Sequence, residues 1–249
     1  MFDSMRNRRS VRRYTEQDIS EPLLNELLEL AARASNTGNM QLYSVVITRD
    51  GEMKKQLSPA HFNQKMVTEA PALLTFCADT NRFVRWAEQR KATPGFDNLQ
   101  TFVAAMVDTV IFAQAFCIAA EERGLGICYL GTVTYNADKI IDILSLPRRV
   151  VPVAAITVGW PAGEPEQPER LPLEAVVHHE RYTDYTPASI DALYKAKEEL
   201  EANLRYVKEN NRETLAQVFT DIRYTKGNNE YFSEVFLRVL EKQGFIAAL

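Results

Sequence analysis

The chain has 249 residues, of which 46% are hydrophobic and 25% are charged, a composition typical of a globular protein that buries a sizeable core. Its 33 acidic residues outnumber its 29 basic ones, for a formal net charge of −4, so no overall positive field favours a nucleic acid. We find no apolar run near the roughly 20 residues that cross a bilayer and no signal-peptide pattern. We therefore expect a cytoplasmic protein that binds neither membrane nor nucleic acid.

The segment from Asn7 to Tyr14 carries four arginines and a serine, Ser10. A guanidinium group presents a planar fork of donors that matches phosphate oxygens, and each such contact contributes roughly 1.5–3 kcal/mol when partly shielded from water. Because the chain is acidic overall, the segment favours a small phosphorylated ligand. At this point two alternatives remain: the arginines solvate a terminal segment, or they bind nucleic acid.

Helical and extended segments alternate over the next 145 residues or so. Helical periodicity predicts a helix capped by Ser20 and running to about Ala34. Short helices are predicted at 53–57 and at 138–144, the second capped by Asn136. The charged stretch Trp86 to Asp97 is predicted to be an exposed excursion. Apolar and β-branched runs predict strands at residues 43–48, 71–78, 127–130 and 150–158. The alternation implies an α/β or α+β sheet protein.

The longest predicted helix runs from about Leu99 to Glu122 and ends at a Gly124 C-cap. Its apolar residues surround nearly the whole circumference. Such a helix must be buried on all sides, either in a large core or against a second subunit.

The region beyond Pro161 is proline-punctuated and then helical, and we interpret it as an arm of helices that wraps the core or a partner subunit. The pair His178-His179 is interpreted as a solvated turn, and we expect no metal site. The cysteines lie in apolar surroundings without metal-ligand spacing, so we interpret them as core residues: Cys77, Cys117 and Cys128.

The sequence contains no Gly-rich phosphate loop, GxSxG elbow or HExxH motif, which leaves cofactor chemistry as the natural candidate. The arginine segment, the Ser-Asn-Thr-Gly loop at 35–38 and the Tyr-Leu-Gly-Thr turn at 129–132 supply donors for both ends of a flavin mononucleotide, FMN. Cations would hold its phosphate, and backbone amides would hold its ring edge.

These segments resemble the nitroreductase family of flavin oxidoreductases, in the branch of NADPH-dependent flavin reductases and oxygen-insensitive nitroreductases. The likeness rests on the order and spacing of motifs at 8–14, 34–41, 63–65, 124–131, 158–161, 170–172 and 242–245. The resemblance implies an α+β fold with a mixed, mainly antiparallel sheet flanked by helices. It also implies one FMN domain, with residues 1–162 as its core and 163–249 as the loop and helical arm. The enzyme would be a homodimer with FMN between its subunits.

The resemblance further implies which residues bind FMN. Arg8, Ser10 and Arg170 would contact the phosphate, with Arg9 in support, and Arg12 would tune the flavin from the pyrimidine end of the ring. No residue is implied as a catalytic acid or base. The remaining FMN-binding positions are Asn39, Gln41, Gln64, Leu130 and Gly131, and the candidates for the NAD(P)H phosphate are Arg205, Arg212, Arg223 and Lys226.

Two departures from the family pattern bear on affinity. Gln167-Pro168-Glu169-Arg170 replaces a Lys-Pro-Arg run near the phosphate, so one cation is lost and a carboxylate is added beside Arg170. Asn228 to Ser233 replaces a Ser-Arg-Pro loop that helps to grip the 2′-phosphate of NADPH.

The implied activity takes hydride from NAD(P)H, with NADPH favoured over NADH, and reduces small electrophiles such as nitroaromatics, quinones or free flavin by a ping-pong mechanism. The alternative is an FMN-binding module that sequesters or senses the flavin without significant turnover.

Overall fold

The computed structural model describes residues 2–95 and 97–247. Its sheet has four antiparallel strands in the order β1-β2-β4-β3. Ser10 makes an isolated parallel bridge to Ile127 beside these four strands, so the sheet is mainly antiparallel, as expected. The strands are β1 Tyr43–Thr48, β2 Ala72–Asp79, β3 Gly126–Leu130 and β4 Val150–Gly159. The α+β class is confirmed.

Helices make up much of the remaining described chain. The α-helices are α1 Phe2–Arg6, α2 Glu21–Ala31, α3 Gly51–Leu57, α4 Met66–Glu69, α5 Asn81–Gln89, α6 Leu99–Glu122, α7 Ala137–Ile143, α8 Pro187–Glu198, α9 Glu201–Glu209, α10 Leu215–Gln217 and α11 Lys226–Gln243. Short 3-10 turns lie at Thr37–Asn39, Ser58–His61 and Leu173–Ala175, and a π-turn lies at Val218–Arg223.

The main core forms where α6 packs against β2, β4 and α2. The Phe76 ring lies 5.6 Å from the Phe112 ring and 5.9 Å from the Phe116 ring, centroid to centroid. All three side chains are buried, and burying each contributes roughly 1.5–3 kcal/mol. This packing fixes the helix against the sheet that carries the site.

The opposite face of α6 is exposed in the single chain at Val103, Val107, Val110 and Ile111. Their spacing of four, three and one residues places them on one stripe, so a single chain buries only the other face of α6, and burial of this stripe against a second subunit stays a prediction. The reason is geometric: one sheet covers only one side of a helix. By length and composition α6 also meets the criteria for a membrane span, contrary to the sequence expectation, although its other face belongs to the core.

The contacts divide the chain into two units. Residues 2–167 and 232–247 form the unit that contains the sheet, and residues 168–231 form the second. In the second unit, Thr186 and Thr214 cap α8 and α10 with reciprocal side-chain and backbone hydrogen bonds. The expected arm at 163–249 therefore contributes residues to both units, and its wrapping role stays a prediction.

Three local predictions need correction or refinement. Residues 81–89 of the region around Trp86 form α5, because Val84 and Ala87 supply a buried face within a charged segment; Phe96, in the predicted excursion, lies outside the described residues. The first predicted helix ends at Ala31 rather than near Ala34. Asn136 does precede α7, but its side-chain amide donates to the Ala60 carbonyl oxygen at 2.9 Å instead of capping the helix.

The remaining local predictions hold. The strands at 43–48, 72–79, 126–130 and 150–159 match the predicted runs to within one residue, and Ser20 caps α2 by accepting a hydrogen bond from the Leu23 amide. All three cysteines are buried and unbridged, which confirms their assignment to the core.

Candidate functional site

The arginine segment runs alongside β3. The Val11 amide donates to the Ile127 carbonyl oxygen at 2.9 Å. A Cβ atom at Gly126 would lie 2.6 Å from the Val11 side chain, so only glycine permits this close approach. The sheet edge therefore fixes the position of Arg8 to Arg12.

Tyr14 packs beneath this segment. Its hydroxyl donates to the Val11 carbonyl oxygen at 2.7 Å and lies 2.7 Å from Thr157 Oγ1. Burial raises the pKa of the Tyr14 phenol well above its ordinary value, so the residue remains neutral. Tyr14 therefore supports the segment and does not supply a charge.

Two carboxylates already face the first two arginines. Arg8 Nε lies 3.6 Å from Glu121 Oε1, and Arg9 pairs with the exposed Glu164. Burial raises the pKa of Glu121 to about 7, against the opposing effect of Arg8. The Nε atom of Arg9 is buried and has no hydrogen-bond partner among the described residues. Both arginines thus have donor capacity for a further anion.

Two adjoining cavities open beside the segment. One, of about 460 Å³, is lined by Arg8, Arg9 and Glu121 among others. The other, of about 270 Å³, is lined by Ser10 and Arg12 among others. They share the wall formed by Val11, Gly163, Glu164 and Pro165. The structure therefore brings together the four sequence-predicted residues Arg8, Arg9, Ser10 and Arg12.

The loop that carries Asn39 and Gln41 is fastened to α6. The Thr37 amide and hydroxyl both donate to Asp108 Oδ1, at 2.9 Å each. Asn39 and Gln41 adopt left-handed backbone conformations, with φ of 56° and 54°, and Gln41 Nε2 donates to Asn39. Asn39 lines a separate cavity of about 340 Å³ beside α5. The buried Asp108 carboxylate holds the loop in this unusual backbone shape.

Gln64 and Gly131 lie on two segments that hydrogen bonds join. Gln64 Nε2 donates to the His61 carbonyl oxygen at 3.1 Å, and His61 Nδ1 lies 2.9 Å from Thr132 Oγ1. Leu130 is buried, whereas Gly131 is exposed, and a Cβ atom there would meet no described atom within 4 Å. The absence of a side chain at Gly131 leaves the turn open to a ligand.

Arg170 belongs to the second unit. Its Nη1 donates to the carbonyl oxygens of Pro168 and Glu169 at 3.2 and 2.9 Å. The Glu169 carboxylate pairs with Lys197 at 2.5 Å, and this hydrogen bond lowers the pKa of Glu169. The carboxylate that replaces a family cation is therefore neutralised by Lys197 rather than by Arg170.

The four candidates for the NAD(P)H phosphate differ in their surroundings. Arg212 Nε lies 3.7 Å from Asp221 Oδ2, and Lys226 Nζ lies 3.6 Å from Glu230 Oε1. The guanidinium of Arg223 stacks 4.6 Å from the Tyr206 ring centroid, and Arg205 is exposed. Nothing in the described contacts joins the four into one cluster.

Sequence reasoning missed four residues that shape the site: Glu121, Glu164, His61 and Asp108. Glu121 and Asp108 are carboxylates on the otherwise apolar α6, which was the available signal. His61 precedes Gln64 by three residues but belongs to no recognised motif. The pairing of Glu164 with Arg9 depends on chain folding over 155 residues, a separation that no local pattern encodes.

A four-stranded antiparallel sheet flanked by helices defines an α+β fold, and the comparisons give the family. The nitroreductase family model matches residues 5–160, so the chain belongs to the nitroreductase family. It is 34% identical over 183 residues to the FMN reductase (NADPH) of Bacillus subtilis strain 168, covering 73% of this chain and 74% of that protein.

Two further relatives support the same placement. The chain is 30% identical over 174 residues to the oxygen-insensitive NADPH nitroreductase of Salmonella typhimurium, covering 70% and 71% of the two chains. A crystal structure of a Bacteroides fragilis NCTC 9343 protein matches with a TM-score of 0.97 at 56% identity, covering 98% of this chain and 99% of that one.

Proposed function

We propose that this protein is an FMN-dependent oxidoreductase that takes hydride from NAD(P)H, with NADPH favoured, and reduces small electrophiles by a ping-pong mechanism. The acceptors are nitroaromatics, quinones or free flavin. The observation that carries the proposal is the placement of Arg8, Arg9, Ser10 and Arg12 around two adjoining cavities. Membership of the nitroreductase family supports the redox chemistry.

The residues present fit the phosphate of FMN. Arg8 and Arg9 are half-buried cations, and Ser10 adds a hydroxyl donor. The buried, unpartnered Arg9 Nε is a donor that a phosphate oxygen would satisfy. Arg170 would add a further cation, because Lys197 neutralises the neighbouring Glu169.

The residues also fit the ring system and its ribityl chain. Gly131 presents an open backbone, and Leu130 lies buried beside it. Asn39, Gln41 and Gln64 carry side-chain amides that can both donate and accept. When bound, FMN supplies the electron transfer, and the protein supplies binding, orientation and electrostatics. In this scheme Arg12 stabilises negative charge that develops near the pyrimidine end.

The NADPH preference depends on the second unit. Arg205 and Arg223 are the stronger candidates for the 2′-phosphate, since Arg205 has no ion-pair partner among the described residues and Arg223 contacts an aromatic ring rather than a carboxylate. Arg212 and Lys226 already face Asp221 and Glu230.

A second copy of the chain is the proposed partner. The exposed apolar stripe of α6, made of Val103, Val107, Val110 and Ile111, is a surface that a homodimer would bury, with FMN between the subunits. Val107→Asp should convert a dimer to a monomer in light scattering, while Glu122→Asp should leave the mass unchanged.

We place the enzyme in the cytoplasm.

The decisive experiment is an anaerobic absorbance spectrum followed by separate additions of NADPH and NADH. A flavin band near ~450 nm that NADPH bleaches quickly, and NADH more slowly, is the expected result. A bound flavin that resists both donors would contradict the oxidoreductase proposal and favour a sequestration or sensor role. Failure to bind FMN after reconstitution would contradict the cofactor assignment itself.

A further inference from the structure

His61 is a fully buried histidine in the first unit that the proposed chemistry does not use. Its Nδ1 atom lies 2.9 Å from Thr132 Oγ1. Its Nε2 atom is buried and has no hydrogen-bond partner among the described residues. Leaving a buried polar atom unpaired is costly, so a core position of this kind would ordinarily favour an apolar side chain.

The histidine lies between two segments of the candidate site. On one side, both the backbone amide and the side-chain amide of Gln64 donate to the His61 carbonyl oxygen, at 3.2 and 3.1 Å. On the other side, its hydrogen-bond partner Thr132 directly follows Gly131. His61 therefore connects the turn that carries Gln64, through its backbone carbonyl, with the turn that carries Gly131, through its imidazole.

The turn on the Gln64 side needs such an anchor. Phe62 and Asn63, between His61 and Gln64, both adopt left-handed conformations, with φ of 53° and 54°. Two consecutive non-glycine residues in this region are unfavourable and persist only when the surrounding structure holds them. The anchors described are backbone hydrogen bonds within 58–64, the Asn136 side chain on the Ala60 carbonyl oxygen, and the His61 ring.

We propose that His61 is a positioning residue that acts through Thr132 to set the separation between Gln64 and Gly131. The inference rests on the proposed function, in which those two residues bind FMN. The retained imidazole gives a directional hydrogen bond that an apolar side chain of similar size cannot supply. Its role is geometric and requires no proton transfer.

The ionisation state agrees with this role. Burial lowers the pKa of His61 to about 4, so the ring is neutral near pH 7. A neutral imidazole can donate from Nδ1 to the Thr132 hydroxyl or accept from it, and either arrangement preserves the link.

The test uses a pair of variants that remove the two ends of the hydrogen bond. His61→Leu removes the ring, and Thr132→Val removes the hydroxyl while keeping the side-chain shape. Each single variant should weaken FMN binding about three- to tenfold, measured by quenching of flavin fluorescence, and should shift the reduction potential of the bound flavin in the same direction. The double variant should be no weaker than either single variant, because both remove one interaction.

Two conservative variants serve as controls. His61→Asn places an amide near the Nδ1 position, and Thr132→Ser keeps the hydroxyl, so both should bind FMN within about twofold of the wild type. If His61→Leu fails to fold, Thr132→Val and Thr132→Ser still test the link through the partner.

The inference is overturned if Thr132→Val binds FMN as the wild type does, or if the effects of the two single variants add in the double variant. A wild-type protein that binds no FMN would instead contradict the proposed function. The two failures are thus distinguishable.

Discussion

The two ends of the candidate site are built on different physical principles. At the arginine end, Arg8 and Arg9 are charged side chains that already face the carboxylates of Glu121 and Glu164. At the Gly131 end, a hydrogen bond between two neutral groups joins the buried His61 ring to the Thr132 hydroxyl. An anion at the first end must compete with existing partners, whereas a ligand at the second end meets a preformed geometry.

This contrast has measurable consequences. Exchange of ionic partners depends on pH, which changes the charge of Glu121, and on salt, which screens the exposed Glu164. A buried neutral hydrogen bond responds to neither until the histidine is protonated. Perturbing each end separately therefore tests whether binding energy and ring geometry are supplied by different residues.

The largest effect is expected from removing the arginine end. Arg8→Ala combined with Ser10→Ala should weaken FMN binding by about 100-fold or more, since each lost phosphate contact contributes roughly 1.5–3 kcal/mol when the donor is charged. Titration of flavin fluorescence measures the change. The exposed Arg33→Ala serves as a matched control for the loss of one arginine and should leave the affinity unchanged.

The two ends also differ in how far the sequence alone predicts them. The arginine segment is local in sequence, so its charge pattern alone indicates an anion site at residues 8–13, and the family resemblance then singles out Arg8, Arg9, Ser10 and Arg12. The strands follow from β-branched runs. The partners Glu121 and Glu164 and the link from His61 to Thr132 depend on contacts between residues 71 to 155 positions apart. Such contacts follow from tertiary packing, which local patterns do not encode.

The next largest effect is expected on the free energy of unfolding at acidic pH, which depends on His61 at the Gly131 end. His61 has a folded-state pKa of about 4, below its ordinary value near 6.5, so the unfolded chain binds more protons between these pH values. The folded state therefore loses stability as pH falls through this window, by about 2–3 kcal/mol. His61→Asn should lose correspondingly less between pH 7 and pH 4.5.

Urea unfolding at a series of pH values measures this difference. The exposed His179→Asn is the control for replacing a histidine by asparagine outside the core. An unchanged pH profile in His61→Asn would show that the buried ring does not determine acid stability.

A smaller effect is expected from removing Arg12. It lines the smaller cavity with Ser10 and is exposed in the chain. Arg12→Ala should lower the reduction potential of bound FMN by about 30 mV, equivalent to roughly tenfold for a two-electron couple, because a cation near developing negative charge is lost. FMN affinity should fall less than in the Arg8 and Ser10 double variant. Equal potentials in Arg12→Ala and wild type would exclude a ring-facing role.

The smallest change in FMN affinity is expected from replacing Glu121. This change tests most directly whether the phosphate displaces a carboxylate from Arg8. Because the pKa of Glu121 is about 7, its carboxylate is mostly charged at pH 8 and mostly neutral at pH 6. The charged form holds Arg8 and would compete with the FMN phosphate that we propose there. Glu121→Gln should therefore bind FMN several-fold more tightly than the wild type at pH 8, with a smaller difference at pH 6.

Comparing the variant with the wild type at each pH removes the titration of the phosphate itself. Riboflavin, which lacks the phosphate, should bind both proteins equally and so reports on the ring end alone. Glu164→Gln is the matched variant at Arg9, and because the Glu164 side chain is 79% exposed its effect should be smaller. If Glu121→Gln and the wild type show the same ratio of FMN to riboflavin affinity at pH 8, the carboxylate does not compete for Arg8. The arginine end would then be as preformed as the Gly131 end.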